Sequence, residues 1–255
     1  MEKPFQIAIS NGLTAPAIQV QSPEDLSTAL RELDLHSPRP ILVVVGGASK
    51  VSEADLSRLR LLFVKVLAPL AEELGASVVD GGTDVGVMQM MGQARAEMAA
   101  TFPLIGVTPA AKVALPDRIP SSKVTALEPH HTHFVLVPGS NWGDESPWLA
   151  RVASVLANGA PSVTVLVNGG ETAWKDVSEN LKANRPLLVI AGSGRLADTL
   201  AAALRGEATD ERARELVASG LAQAIDLTES FDSLTRLLNE MFSAKGGRSA
   251  SRESG

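Results

Sequence analysis

A chain of 255 residues is long for one domain but ordinary for an α/β sheet with helices on both faces, and it buries enough surface to need no covalent staple. It holds no cysteine, which excludes disulfides, thiolate catalysis and Cys-based zinc sites. A net charge of −6, an aromatic content of 4% and the absence of tyrosine weigh against binding nucleic acid through a basic surface or a stacking platform.

The stretch MEKPFQIAIS lacks the pattern of a signal peptide, and no segment reaches the roughly 18 apolar residues of a membrane span. The expected setting is cytoplasmic, without membrane insertion. Gln6–Ser10 and Ala17–Val20 read as strands around an Asn11-Gly12 turn. Ser22-Pro23-Glu24-Asp25 opens a helix to about Leu33, with an N-cap, a proline at the first helical position and early acids. After a proline-bearing linker, Ile41–Val45 is a continuous apolar run of the kind buried on both faces. Ser52-Glu53-Ala54-Asp55 starts a long helix whose last turns Pro69 should kink, with Gly75 closing it.

Val78–Asp80 is the next strand, followed by a helix near Val85–Ala100 and a strand at Leu104–Val107. Residues 109–123 carry three prolines and no periodicity, which suggests a surface loop or lid. Val124–Leu127 and His133–Val137 read as strands, Gly139–Gly143 as a loop and Pro147–Leu156 as a helix. Val163–Val167 and Leu187–Ile190 are strands, each running through glycines into a helix. Asp210–Ala218 and Ser230–Phe242 read as helices, and the Gly/Ser/Arg-rich segment 244–255 as a disordered tail. Alternating strands and helices without a repeat predict one domain over 1–243: an α/β, Rossmann-like, mostly parallel sheet with helices on both faces.

The recurring feature is a glycine corner after an apolar strand, in VVVGGAS, VVDGGTDVG, VLVNGG and VIAGSGR. Parallel strands bring such corners to one edge, where ligands of open α/β sheets bind. A following helix offers unpaired N–H groups and a positive dipole end, both suited to phosphate. Arg195 adds a fork-shaped cation, unless it pairs with Asp198 on its own helix. The glycines also have a plain reading as tight βα turns. GxGxxG, the P-loop motif and GxSxG are absent.

Three of the four histidines lie in Pro129-His130-His131-Thr132-His133-Phe134. In a strand, His131 and His133 would share a face. Ligand contact, a zinc site completed by a distant carboxylate and a satisfied core role all remain open. Trp142 and Trp148 flank Asp144 and Glu145 and read as partly buried at a loop base, with cap or dimer contacts as the alternative.

The succession GGA, GGTDVGVM, LEPHHTHFVLV, NGGET and AGSGRLADTLA, from Pro40 to Leu204, resembles the TRPM-type SLOG domains, the prokaryotic LSDAT group. These are relatives of the cytoplasmic amino-terminal region of melastatin-type transient receptor potential channels. The resemblance implies a Rossmann-like fold and a nucleotide-derived ligand such as ADP-ribose, which the channel region can bind. Carried over by position, it implies Gly46, Gly47, Ala48, Gly81, Gly82, Thr83, Gly86, Met88, His131 and His133 beside the ligand. It implies Gly192, Ser193, Gly194 and Arg195 at phosphate, and the Gly169-Gly170 corner joins the same set.

A wider branch of the superfamily resembles cytokinin-activating phosphoribohydrolases, whose hallmark is PGGxGTxxE. Here the proline, last glycine, threonine and glutamate positions hold Asn168, Thr172, Ala173 and Asp176. The leading expectation is therefore a binding protein, a sensor of an NAD-derived nucleotide that needs no cofactor or metal and signals through homo-oligomerisation or a separate effector. The alternative is a nucleotide N-glycosidase using Asp176 or Glu171.

Overall fold

The computed structural model describes residues 3–9, 12–114, 124–207 and 210–244. Ser10, Asn11, most of the expected lid and nearly all of the expected tail lie outside the described residues. Strand β1 (Phe5–Ala8) runs antiparallel to β2 (Thr14–Gln19), and every other pairing is parallel. The remaining strands are β3 (Ile41–Gly46), β4 (Ser77–Asp80), β5 (Leu104–Pro109), β6 (His133–Val137), β7 (Ser162–Val167), β8 (Leu187–Ala191) and β9 (Ala222–Asp226). They form a nine-stranded sheet in the order β1-β2-β6-β5-β4-β3-β7-β8-β9. The chain steps outward from β3 to β6, then returns to place β7 against the other side of β3. The fold is thus an α/β, Rossmann-like, mostly parallel sheet, and its switch point lies between β3 and β7.

Strands β4, β5, β7 and β8 are buried along their whole length, as expected of Val/Ile/Leu-rich strands covered on both faces. One face carries α1 (Leu26–Glu32), α5 (Ser146–Ala157), α6 (Glu171–Lys182) and α7 (Arg195–Leu204) over Val43, Val45, Leu166 and Val189. The other carries α2 (Glu53–Leu62), α3 (Ala68–Glu73), α4 (Gly86–Glu97) and α9 (Phe231–Ser243) over Leu42, Val44, Val165 and Ile190. Helix α8 (Glu211–Val217) packs beside α7.

One sequence expectation needs correction, and two features go beyond what the sequence suggested. Val124–Leu127 is not a strand: it makes only isolated bridges, Thr125 to Val113 and Leu127 to Thr83. The edge strand β9 was not foreseen. The Pro69 break is absorbed by a π-helical turn, Phe63–Leu67, that joins α2 to α3. A wider turn just before proline removes the need for the missing N–H, while Phe63, Val66 and Leu67 stay buried.

Candidate functional site

The carboxyl edges of β3 and β7 open on a cavity of about 530 Å³ at the switch point. Its formation depends on a close backbone approach. Gly46 has φ +123°, and a β-carbon there would stand 1.9 Å from the Val167 carbonyl oxygen. Only glycine lets β3 leave the sheet at this point.

The corners are stitched to one another. Gly47 N donates to Val167 O at 3.0 Å. The Asn168 side chain donates to Ser49 O at 3.2 Å and to Ser193 O at 2.8 Å. Ser193 Oγ donates to Ile190 O and accepts from Asn168 N. The first amides of α7 are consumed here: Leu196 N donates to Gly169 O and Ala197 N to Asn168 O. Helix α6, by contrast, has Gly170 as its N-cap and no side-chain cap, so its first N–H groups open on the cavity.

Arg195 crosses from α7 to this opening. Its Nη1 donates to Ser49 Oγ at 2.7 Å, and the guanidinium lies against Gly170. Its backbone φ is +54°, a left-handed value that side chains avoid. The alternative Arg195–Asp198 pair does not form; Asp198 Oδ1 accepts from Gly192 N at 2.6 Å instead.

Gly46, Gly47, Ala48, Gly81, Thr83, Gly86, Met88, Gly170 and Arg195 line the cavity, as do both carboxylates considered for catalysis, Glu171 and Asp176. Gly82, Gly169, Gly192, Ser193 and Gly194 do not; they shape the corners behind it. Sequence reasoning left out Ser49 and Thr125 on the wall, and Glu145, Leu149 and the half-exposed Trp142 on the side of α5. Trp142 is exposed rather than tucked under the loop, and it forms part of the rim. Among these, only Glu145 had a visible sign, an acid beside a tryptophan in an irregular segment.

The wall contains two buried carboxylates. Burial is the main cause raising the Asp176 carboxyl to about 7, with the Glu145 charge adding to it and the Ser146 hydroxyl and Lys175 opposing it. Burial also raises Glu145, against the pull of the Gly143 amide. Glu171 is exposed and paired with Arg212 at 3.1 Å, while Arg212 stacks on Trp174.

The histidines do not reach the cavity. The shared face expected for His131 and His133 does not form, because β6 begins only at His133. The buried His131 ring lies between Asp80, at 2.8 Å from Nε2, and Glu128, at 2.7 Å from Nδ1. Burial opposes its charge, yet Asp80 and Glu128 raise it to about 9. Both ring nitrogens are therefore engaged, which leaves neither for a metal or a ligand. His133 is lowered to about 4 by burial and sits beside Leu33 at the amino end of β6, the sheet edge opposite the cavity. His131 does serve the site's framework: Asp80 Oδ1 also accepts from Gly82 N at 2.7 Å, which fixes the second glycine corner.

The fold and this crevice define a doubly wound domain with a ligand-sized cleft among glycine corners. The chain belongs to the family described as "SLOG in TRPM, prokaryote", whose model matches residues 39–235. Among curated proteins it is similar to transient receptor potential cation channel subfamily M member-like 2 of Nematostella vectensis, 26% identical over 87% of this chain and 16% of the relative. It is 27% identical to subfamily M member 7 of Homo sapiens over 69% of this chain and 11% of the relative. It is 24% identical to member 2 of Mus musculus over 66% and 13%. The chain thus spans only a small part of these channels' length. Among solved structures it resembles the X-ray structure of TM1055, with a TM-score of 0.52 and 19% identity, over 79% of this chain and 99% of that one. That likeness concerns the fold. Among the described residues no helix is long and apolar enough to cross a membrane.

Proposed function

We propose that the cavity binds an NAD-derived nucleotide such as ADP-ribose, with a phosphate against Arg195, Ser49 and the open amino end of α6, and that the chain acts as a cytoplasmic ligand-responsive domain. The observation that carries this reading is the guanidinium aimed across the junction of the corners while its backbone holds a left-handed conformation. Backbone conformations of this cost persist where the surrounding structure has a use for them. A guanidinium tethered to Ser49 beside open helix amides suits an oxyanion. The output would be self-association or contact with a separate effector.

Calorimetry with ADP-ribose, NAD and AMP tests this. Arg195→Ala should weaken binding by about 1.5–3 kcal/mol, roughly ten- to a hundredfold, the scale of a hydrogen bond to a charged group. An unchanged dissociation constant in a folded variant refutes the phosphate assignment.

A second reading, cleavage of the nucleotide's N-glycosidic bond, is favoured by one observation: Asp176 and Glu145 both line the cavity in a buried setting. Such a pair suits stabilising an oxocarbenium-like ribose. Release of free base or ribose phosphate from incubated nucleotide separates enzyme from sensor.

A further inference from the structure

The cavity has a second pole. Arg195 lies against Gly170 at the start of α6, and Asp176 follows six residues along the same helix, about 9 Å further at 1.5 Å per residue. There Asp176 meets Glu145, which sits at the N-cap of α5. Each carboxylate has one oxygen engaged. Ser146 Oγ donates to Asp176 Oδ1 at 2.6 Å, and Gly143 N donates to Glu145 Oε2 at 2.7 Å. The Glu145 carboxylate is also approached by its own backbone N–H, but a carboxylate offers about four lone-pair sites, so both groups can accept a further donor. Two acceptors thus lie in a wall that is otherwise mostly backbone and apolar side chain.

We infer that this acidic pole receives the vicinal hydroxyls of a ribose, so that the cavity selects phosphorylated ribosides over their deoxy counterparts. The inference rests on the phosphate reading of Arg195. Two adjacent hydroxyls supply two donors, one for each carboxylate. A cationic ligand group suits the pole less well, because the Lys175 ammonium already acts on both carboxylates. A ligand without hydroxyls would cover the acceptors and leave them unpaired, and sites built to hydrogen-bond a hydroxyl reject analogues that lack it. Donation to Asp176 also favours its ionised form. Since burial holds that group near 7, with Glu145 adding to the effect, binding at neutral pH should release protons.

The test is calorimetry of the intact chain with AMP and 2′,3′-dideoxy-AMP, in buffers of different ionisation enthalpy. The wild-type chain should bind AMP at least about tenfold more tightly, with more proton release for AMP than for the dideoxy nucleotide. In Glu145→Gln the ratio should fall toward one. Asp176→Asn should behave alike if its melting curve shows it folded; the near-isosteric Glu145→Gln and the wild-type ligand comparison do not depend on that variant. Equal wild-type affinity for the two nucleotides overturns the ribose inference and leaves the phosphate reading standing. If neither nucleotide binds, or Arg195→Ala weakens neither, the phosphate reading falls and the ribose inference falls with it.

Discussion

At the scale of single residues, the site is held by groups that would be unfavourable alone. Arg195 keeps a left-handed backbone, and His131 keeps its ring between two carboxylates away from water. His131 has a measurable consequence. Its folded-state value of about 9 lies above the ordinary 6.5, so the folded chain holds a proton that the unfolded chain gives up. Its contribution is full below about pH 6.5, shrinks as pH rises and is gone above about 9. At about 1.4 kcal/mol per unit this amounts to roughly 3 kcal/mol. Urea melts of wild type and His131→Gln should therefore show stabilities that converge as pH rises from 6.5 to 9. Parallel curves across that window would mean that the ring is not the titrating group. The histidine motif was visible in the sequence, but its role was not. Ligand contact and a buried ion pair both call for imidazole, and the Asp80 partner is remote in the chain. The clue was an acid closing the otherwise apolar strand Val78–Asp80.

At the scale of elements, most strands were legible because burial on both faces leaves an apolar run, unbroken in Ile41–Val45 and Leu187–Ile190. Strand β9 was not, because it is an edge strand whose residues are exposed or half-buried, and Ala222–Asp226 carries no such run. Glycine corners were legible for the same reason that they matter: each follows a buried strand directly. Glu145 was hard to find because it comes from an irregular segment that only packing brings to α6. The α5–α6 contact that positions it has an unforeseen clasp. Arg185 is buried, donates to Asn180 Oδ1 and reaches Ser154 Oγ at 2.9 Å and Ala150 O at 3.2 Å on α5. Burial lowers its guanidinium to about 10, which leaves it charged at neutral pH. Arg185→Met would leave the buried Asn180 Oδ1 without its donor, at a cost of about 1–3 kcal/mol. Chemical denaturation measures this directly. A variant as stable as wild type would show that packing alone holds the two helices.

At the scale of the whole molecule, the cavity lies where the two runs of the sheet meet, β3 to β6 on one side and β7 to β9 on the other. A ligand there touches the corner after β3, the start of α4, the start of α5 and the start of α6, segments far apart in sequence. Its binding free energy should therefore add to the cohesion of both halves. A ligand at a hundred times its dissociation constant stabilises a folded chain by about 2.7 kcal/mol. For a domain of this size that corresponds to a melting temperature raised by roughly 5–10 °C. Thermal melts with ADP-ribose should show a rise of that order, growing with the logarithm of concentration, in wild type but much less in Arg195→Ala. Hydrogen exchange should slow together around Gly47–Ser49, Gly86–Met88, Trp142–Ser146 and Gly170–Ala173. Protection confined to one of these segments would mean that the ligand occupies a single corner, and the cavity would then not be the seam through which the two halves of the sheet respond together.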